Sequence, residues 1–343
     1  MGNVETAFRS RVGWLFRVIR PVRCFLTVGF AGRSMQCVTN AHTHLELSTL
    51  SGLCPRQPTA FLPWLARVGW EIGRLSRDEI LSGIAQGIAE LKACGTTHVG
   101  DITHTWLSVE LLLTSGLSGI VYLEVLGLER EPALERLRDA QVAIDKARRH
   151  PDYGPMQVGL SLHAPYSCHP DLLRIGARWC RVEGVPLCIH VAESAFETEW
   201  LLNGELAGAG RVFTPLIRAV GIMPALIPRQ RPLSYLAVLG VLDAHPLLVH
   251  AVHVTEEEIA LIAASRCAVV HCSRSNYLLG CGRMPLERYL EAGVPVYLGT
   301  DSRASSPDLN VHSEAQFACQ LHREYVPGER IMALLHRPLE HPL

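Results

Sequence analysis

The sequence predicts an α/β fold, a closed barrel of eight parallel strands with helices outside. Three observations lead there: eight short apolar runs recur, stretches of helical period separate them, and 343 residues suffice for one such barrel with a modest appendage. Strands are expected at residues 37–42, 96–102, 119–126, 157–162, 186–190, 246–250, 267–271 and 295–299. Strands alternating with helices imply a parallel sheet, and eight repeats of the unit favour closure over an open sheet.

The elements between the strands follow in order. Residues 78–94 are amphipathic and stop at Gly95, a good C-terminal helix signal. Residues 132–150, 170–183, 255–265 and 285–292 read the same way, the second opening on Pro170. Two connections are unusually long. Residues 45–76 carry Pro55, Pro58 and Pro63 with Trp64 and Trp70; residues 194–245 carry Pro215, Pro224, Pro228 and Pro232. Both follow strands, which in a barrel puts them on the catalytic face, and they are read as substrate lids.

Composition narrows the function. Formal net charge is −1 with acids and bases mixed, which argues against a dedicated nucleic-acid binder. No apolar run is long enough to span a bilayer. Eleven cysteines include no Cys-x-x-Cys, and several sit inside apolar runs, so they read as reduced core thiols of a cytoplasmic protein. Near the N-terminus Arg9, Arg11, Arg17, Arg20, Arg23 and Arg33 are interleaved with Trp14, Phe16 and Phe25. The pattern is like a basic amphipathic or transit segment, but without a cleavage signature the preferred reading is a surface strand pair or a leader.

The chemistry lies at the predicted strand ends. They read Asn40-Ala41-His42-Thr43-His44, His163-Ala164-Pro165, His190-Val191-Ala192-Glu193, His250-Ala251-Val252-His253 and Gly299-Thr300-Asp301-Ser302. In a barrel these ends meet at one mouth. His42, His44, His190 and Asp301 are the expected ligands of one divalent metal, zinc preferred over iron, since imidazole and carboxylate suit both. Such an ion lowers the pKa of water to about 7, and Asp301 is placed to accept the water proton. Glu193 is expected as the acid and base acting on substrate, and His250 as the group that orients the attacking water. His163, Ser302 and Trp106 are the expected substrate contacts; Trp64, Trp70 and Trp106 either stack on a heterocycle or pack under the lids. His253, His104 and His322 are read as packing, loop or edge residues.

These stretches, with His271-Cys272-Ser273-Arg274-Ser275-Asn276, resemble the amidohydrolase superfamily over residues 38–325, in its aminohydrolase branch of triazine chlorohydrolases and cytosine, guanine and adenosylhomocysteine-type deaminases. The resemblance implies a distorted TIM barrel, one zinc or iron on the four ligands above, Glu193 as proton shuttle to a ring nitrogen and His250 assisting the hydroxide. A two-metal centre bridged by a carboxylated lysine is disfavoured, because Lys92 and Lys146 are the only lysines and neither ends a strand. A narrower similarity, in residues 42–48 and the insertion opening Ser194-Ala195-Phe196-Glu197, is to the aminofutalosine deaminase-related group.

The expected activity is that of a metal-dependent hydrolytic deaminase of a small amino-heterocycle, an adenine nucleoside such as aminodeoxyfutalosine. Metal-activated hydroxide attacks the ring carbon and ammonia leaves. Rival readings are a chlorohydrolase with the same site, a truncated inactive amidohydrolase, and a metal-binding interaction module. Residues 1–36 are expected to be a divergent remnant of the accessory sandwich strands, 37–335 the barrel, and 336–343 a truncated tail. The family's usual β-sandwich is thus expected to be missing or incomplete, and apolar surface left bare by it would favour a homo-oligomer.

Overall fold

The structure is a computed structural model that describes residues 37–204 and 227–339. The basic segment 1–36, residues 205–226 of the second long connection and residues 340–343 lie outside the described residues.

Eight strands form one parallel sheet in chain order: β1 (Thr39–Thr43), β2 (His98–Thr103), β3 (Ser118–Val125), β4 (Met156–Leu162), β5 (Leu187–Val191), β6 (Leu247–His250), β7 (Ala268–His271) and β8 (Val296–Leu298). All eight lie where the apolar runs put them. Parallel strands are covered on both faces, so each carries apolar side chains on both. Ile102, Ile120, Tyr122, Val249, Val270 and Tyr297 fill the barrel interior, while Val99, Val121, Leu160, Ile189, Leu248 and Val269 pack outward in the main core.

Between β8 and β1 the barrel is closed by single bonds. Asn40 Nδ2 donates to Thr300 Oγ1 at 2.8 Å, Thr300 N–H donates to Asn40 Oδ1 at 3.0 Å, and Asp301 N–H donates to His42 O at 3.0 Å. The seam is tight at Gly299, where an added Cβ would fall 2.8 Å from His42 Cβ. At the other end of the barrel, Thr39 Oγ1 donates to Arg337 O at 2.6 Å and Leu339, 7 % exposed, joins the interior cluster. Residues 336–339, at the start of the expected truncated tail, pack against the barrel.

The expected helices form at Arg77–Ala93, Arg130–Ala147, Pro170–Glu183, Glu256–Ala264 and Leu286–Glu291. Ser76 and Glu79 close a capping box at the start of the first, and Gly95 adopts φ +79 just beyond its end. The long connections are more regular than their prolines suggest. Residues 45–76 hold a 3-10 helix, Leu45–Leu53, and an α-helix, Phe61–Ile72, which Trp64 pins by donating Nε1–H to Ala304 O at 2.9 Å. The second connection holds helices Ala195–Asn203 and Pro232–Val238. Among the described residues no helix is long and apolar enough to cross a membrane, and every cysteine is a free thiol.

Candidate metal centre and active site

The C-terminal strand ends share one mouth, and the proposed ligands converge there. β1 supplies His42 and, one residue beyond its end, His44; being two apart, they point the same way. β5 supplies His190, and the turn after β8 supplies Asp301. The ring centroids of His42 lie 4.8 Å from His44 and 5.1 Å from His190. Asp301 Oδ1 lies 3.4 Å from His42 Nε2 and 3.8 Å from His44 Nε2. The donor atoms of His42, His44 and His190 lie within 4.8 Å of one another, as do those of His42, His250 and Asp301.

The donors fit a divalent cation. His42 is 1 % exposed, and neither of its ring nitrogens makes a hydrogen bond among the described residues. A buried imidazole left so is costly unless its lone pair meets a cation. Burial pushes the His42 ring below its usual pKa against the pull of Asp301, and pushes His190 well below, aided by the rings around it. Neutral imidazole is the ligating form. Burial would raise the Asp301 carboxyl, but the close approach and field of His42, with His44 and His250, hold it well below the carboxylate range. Its Oδ2 accepts from Ser275 Oγ at 2.6 Å and Ser305 Oγ at 2.8 Å, leaving Oδ1 turned to the histidines.

A proton-carrying pair stands beside this centre. Burial, then the fields of Asp301 and Glu197, push Glu193 well above its usual value against a weak thiol contact from Cys281, which favours its protonated form. His250 goes the other way. Burial lowers its ring to about 3, with Asp301 and Asn276 opposing, and the neutral ring donates Nδ1–H to Asn276 Oδ1 at 2.8 Å. That leaves the Nε2 lone pair 3.5 Å from Glu193 Oε1. The Glu193 carboxyl thus faces the His250 imidazole over the same cavity, an acid and a base whose surroundings shift them apart.

A second polar wall comes from β2 to β4. His163 Nδ1 lies 2.5 Å from Ser167 Oγ, which fixes the ring and leaves Nε2 toward the mouth. Glu124, on β3, holds His104 Nδ1 at 3.2 Å. Burial opposes ionisation of Glu124, yet His163, then the bond from His104, bring it down to about 2. Glu46 fixes the loop that carries His104. It accepts the N–H groups of His104 and Thr105 at 2.7 and 3.0 Å and the Thr105 hydroxyl at 2.8 Å. The cavity between the two walls is about 380 Å³, and Phe61, Trp64, Leu65 and Val68 of the helix Phe61–Ile72 line it as an apolar roof.

Backbone strain collects around the mouth. Ala192, His250, Ala251 and Asp301 have φ of 50, 69, 44 and 60° without being glycine. Each such residue costs about 1–3 kcal/mol and persists only where neighbours over-determine it. Here Ala251 N–H donates to Val191 O at 3.0 Å, and Ala192 O accepts from Val252 and His253 N–H at 3.0 and 2.8 Å.

Of the residues singled out from sequence, His44, His163, His190, Glu193, His250, Asp301 and Ser302 line this one cavity, with His42 beneath. The Ser302 hydroxyl is engaged with Ser305 Oγ at 3.0 Å. Trp106 is not among the lining residues; it donates Nε1–H to Glu124 O at 3.2 Å and lies under Arg136. His253 packs as expected, its Nε2 2.7 Å from Cys281 O. Two bland readings need correction. His104 lines the cavity, and His322, expected at an edge, is fully buried with Nε2 3.0 Å from His271 Nε2. Sequence reasoning passed over Glu124 and Glu197. A lone Glu inside the apolar run 119–126 was the available signal for the first, since buried charge is rare. An acid four residues after Glu193 on a helix gave none for the second.

The sequence pattern of the amidohydrolase family matches residues 37–336. The chain is 36 % identical over 296 residues to an aminodeoxyfutalosine deaminase of Deinococcus radiodurans, covering 82 % of this chain and 67 % of that one. It is 29 % identical over 304 residues to a 5-methylthioadenosine/S-adenosylhomocysteine deaminase of Moorella thermoacetica, covering 88 % and 64 %. The chain thus spans about two thirds of the length of these relatives. Among solved structures, an adenosine deaminase from Xanthomonas campestris with bound zinc superposes with a TM-score of 0.69 at 23 % identity, over 90 % of this chain and 69 % of that one.

Proposed function

The chain belongs to the amidohydrolase family, and on that premise we propose that it is a metal-dependent hydrolase that removes the amino group from the adenine ring of a nucleoside and releases ammonia. The observation that carries this reading is the placement of Glu193 Oε1 3.5 Å from His250 Nε2, beside three imidazoles and a carboxylate. Similarity to the aminodeoxyfutalosine deaminase supports that nucleoside as the substrate to try first.

His42, His44, His190 and Asp301 would hold the ion, and the zinc-bound fold relative supports zinc. A divalent ion there supplies Lewis acidity and makes water a nucleophile at neutral pH. Glu193 delivers its proton to the ring nitrogen next to the amino-bearing carbon, which drains electrons from that carbon as the water oxygen adds. His250 orients that water through Nε2, and Glu193, once ionised, takes one water proton and passes it to the departing nitrogen, then recovers the second from the hydroxyl as the carbonyl forms. The balance is water and amine in, carbonyl and ammonia out. His163 contacts the ring, Glu124 and His104 face the polar remainder of the nucleoside, and the roof of Phe61 and Trp64 keeps bulk water out. Ser302 supports Asp301 through Ser305. Trp106 acts on substrate only through the backbone of Glu124.

Ammonia release from aminodeoxyfutalosine, adenosine and S-adenosylhomocysteine by zinc-loaded protein tests the proposal, with chloride release from atrazine in parallel. Glu193→Gln should cut turnover at least ~100-fold with the ion retained. Equal turnover in that variant, or no ammonia from any of the three by zinc-loaded wild type, would sink it.

A further inference from the structure

Glu197 lies in the first turn of the helix Ala195–Asn203, one turn beyond Glu193, and is 1 % exposed. Its Oε2 accepts the backbone N–H of Glu193 at 3.0 Å, while Oε1 meets no hydrogen-bond partner among the described residues. That amide directly follows the left-handed Ala192, φ 50°, which has no glycine to relieve it. On its other side the Ala192 carbonyl takes the N–H groups of Val252 and His253, in the turn that follows His250. One side chain thus clamps the peptide from which Glu193 departs, and that peptide is bonded to the turn carrying its partner base.

We propose that Glu197 is a positioning residue for Glu193, holding its backbone through an acceptor oxygen and not through a charge. The kinetic consequence rests on the deaminase reading; the clamp itself does not. Burial pushes Glu197 up to about 8 against the backbone amides it faces, so at neutral pH a protonated carboxyl does the holding. Glutamine offers the same acceptor oxygen in the same volume. Leucine fills the volume and offers none.

The test uses the full zinc-loaded chain as wild type, Glu197→Gln and Glu197→Leu. Ammonia release, zinc content and amide hydrogen exchange at residues 192 and 193 are measured. In Glu197→Leu, kcat should fall ~100-fold, as for a misplacement of about 1 Å. KM and zinc should hold, and the Glu193 amide should exchange faster. Glu197→Gln should recover most of kcat and restore slow exchange. Four results would overturn the proposal: wild-type kcat in Glu197→Leu, a loss carried by KM, a Glu193 amide still protected there, or Glu197→Gln as inactive as Glu193→Gln. The last holds even if the leucine variant does not fold. If wild type releases no ammonia, the deaminase reading fails, and exchange alone decides the clamp: unchanged protection rejects it and faster exchange supports it.

Discussion

His190 donates its Nδ1–H to the carbonyl of His163 at 3.0 Å, the same carbonyl that accepts the His190 backbone N–H at 2.9 Å. One ring nitrogen is spent on the neighbouring strand, so only Nε2 remains to bind an ion. The donor atoms of Glu124, His163 and His190 also lie within 4.8 Å of one another. His190 has one lone pair to give, so that group and the His42–His44–Asp301 group cannot both use it. Under the proposed function His190 joins Asp301, His42 and His44, and Glu124 with His163 is left to meet substrate.

A single-ion centre makes a stoichiometric prediction. Elemental analysis should find about one zinc per chain, as for a mononuclear catalytic site. Asp301→Ala should lose it, because the carboxylate that balances the charge is gone. Two ions per chain in the wild type, or an undiminished content in the variant, would contradict the assignment.

Glu124→Gln should weaken nucleoside binding more than it slows chemistry. Losing the charge removes an acceptor held with His104 on the wall away from Glu193. A hydrogen bond to a charged group is worth about 1.5–3 kcal/mol, which corresponds to a rise in KM of roughly 10- to 100-fold. A fall confined to kcat would place Glu124 in the reaction instead.

Trp64→Phe should keep the apolar roof but lose the bond from Nε1–H to Ala304 O. A net loss of about 1 kcal/mol in the pinned helix predicts a few-fold higher KM with kcat nearly kept. An unchanged KM would mean that the roof does not touch substrate.

Glu197 also predicts a pH dependence of stability. Its folded pKa, about 8, lies above the value of an unfolded glutamate. Between the two the folded chain binds more protons, so stability falls as pH rises through that window and the penalty is complete above about 8. Glu197→Gln cannot ionise. Its thermal midpoint relative to wild type should therefore be higher at pH 9 than at pH 5. The same offset at both pH values would show that Glu197 does not carry the effect.

Much of this molecule was legible in one dimension. Eight apolar runs with helical stretches between them named the barrel, because a parallel strand buried on both faces leaves a continuous apolar signature. Histidines and acids closing those runs named the candidate ligands, since every parallel strand ends at the same mouth. His42, His44, His190, Glu193, His250 and Asp301 were all found that way, each from a strand end.

Tertiary structure decided the rest. It showed that Asn40 stitches the seam between β8 and β1, that the proline-rich stretch 45–76 raises a helix over the cavity, and that Trp106 stands behind Glu124 and outside the cavity lining. Protonation was decided there too. Glu193 and Glu124 read alike in the sequence, yet one is pushed up by burial beside other carboxyls and the other is brought down by imidazoles. Periodicity reports which way a residue faces along its own element. What sits opposite it, and so whether it keeps its proton, depends on residues from other strands that only the closed barrel brings together.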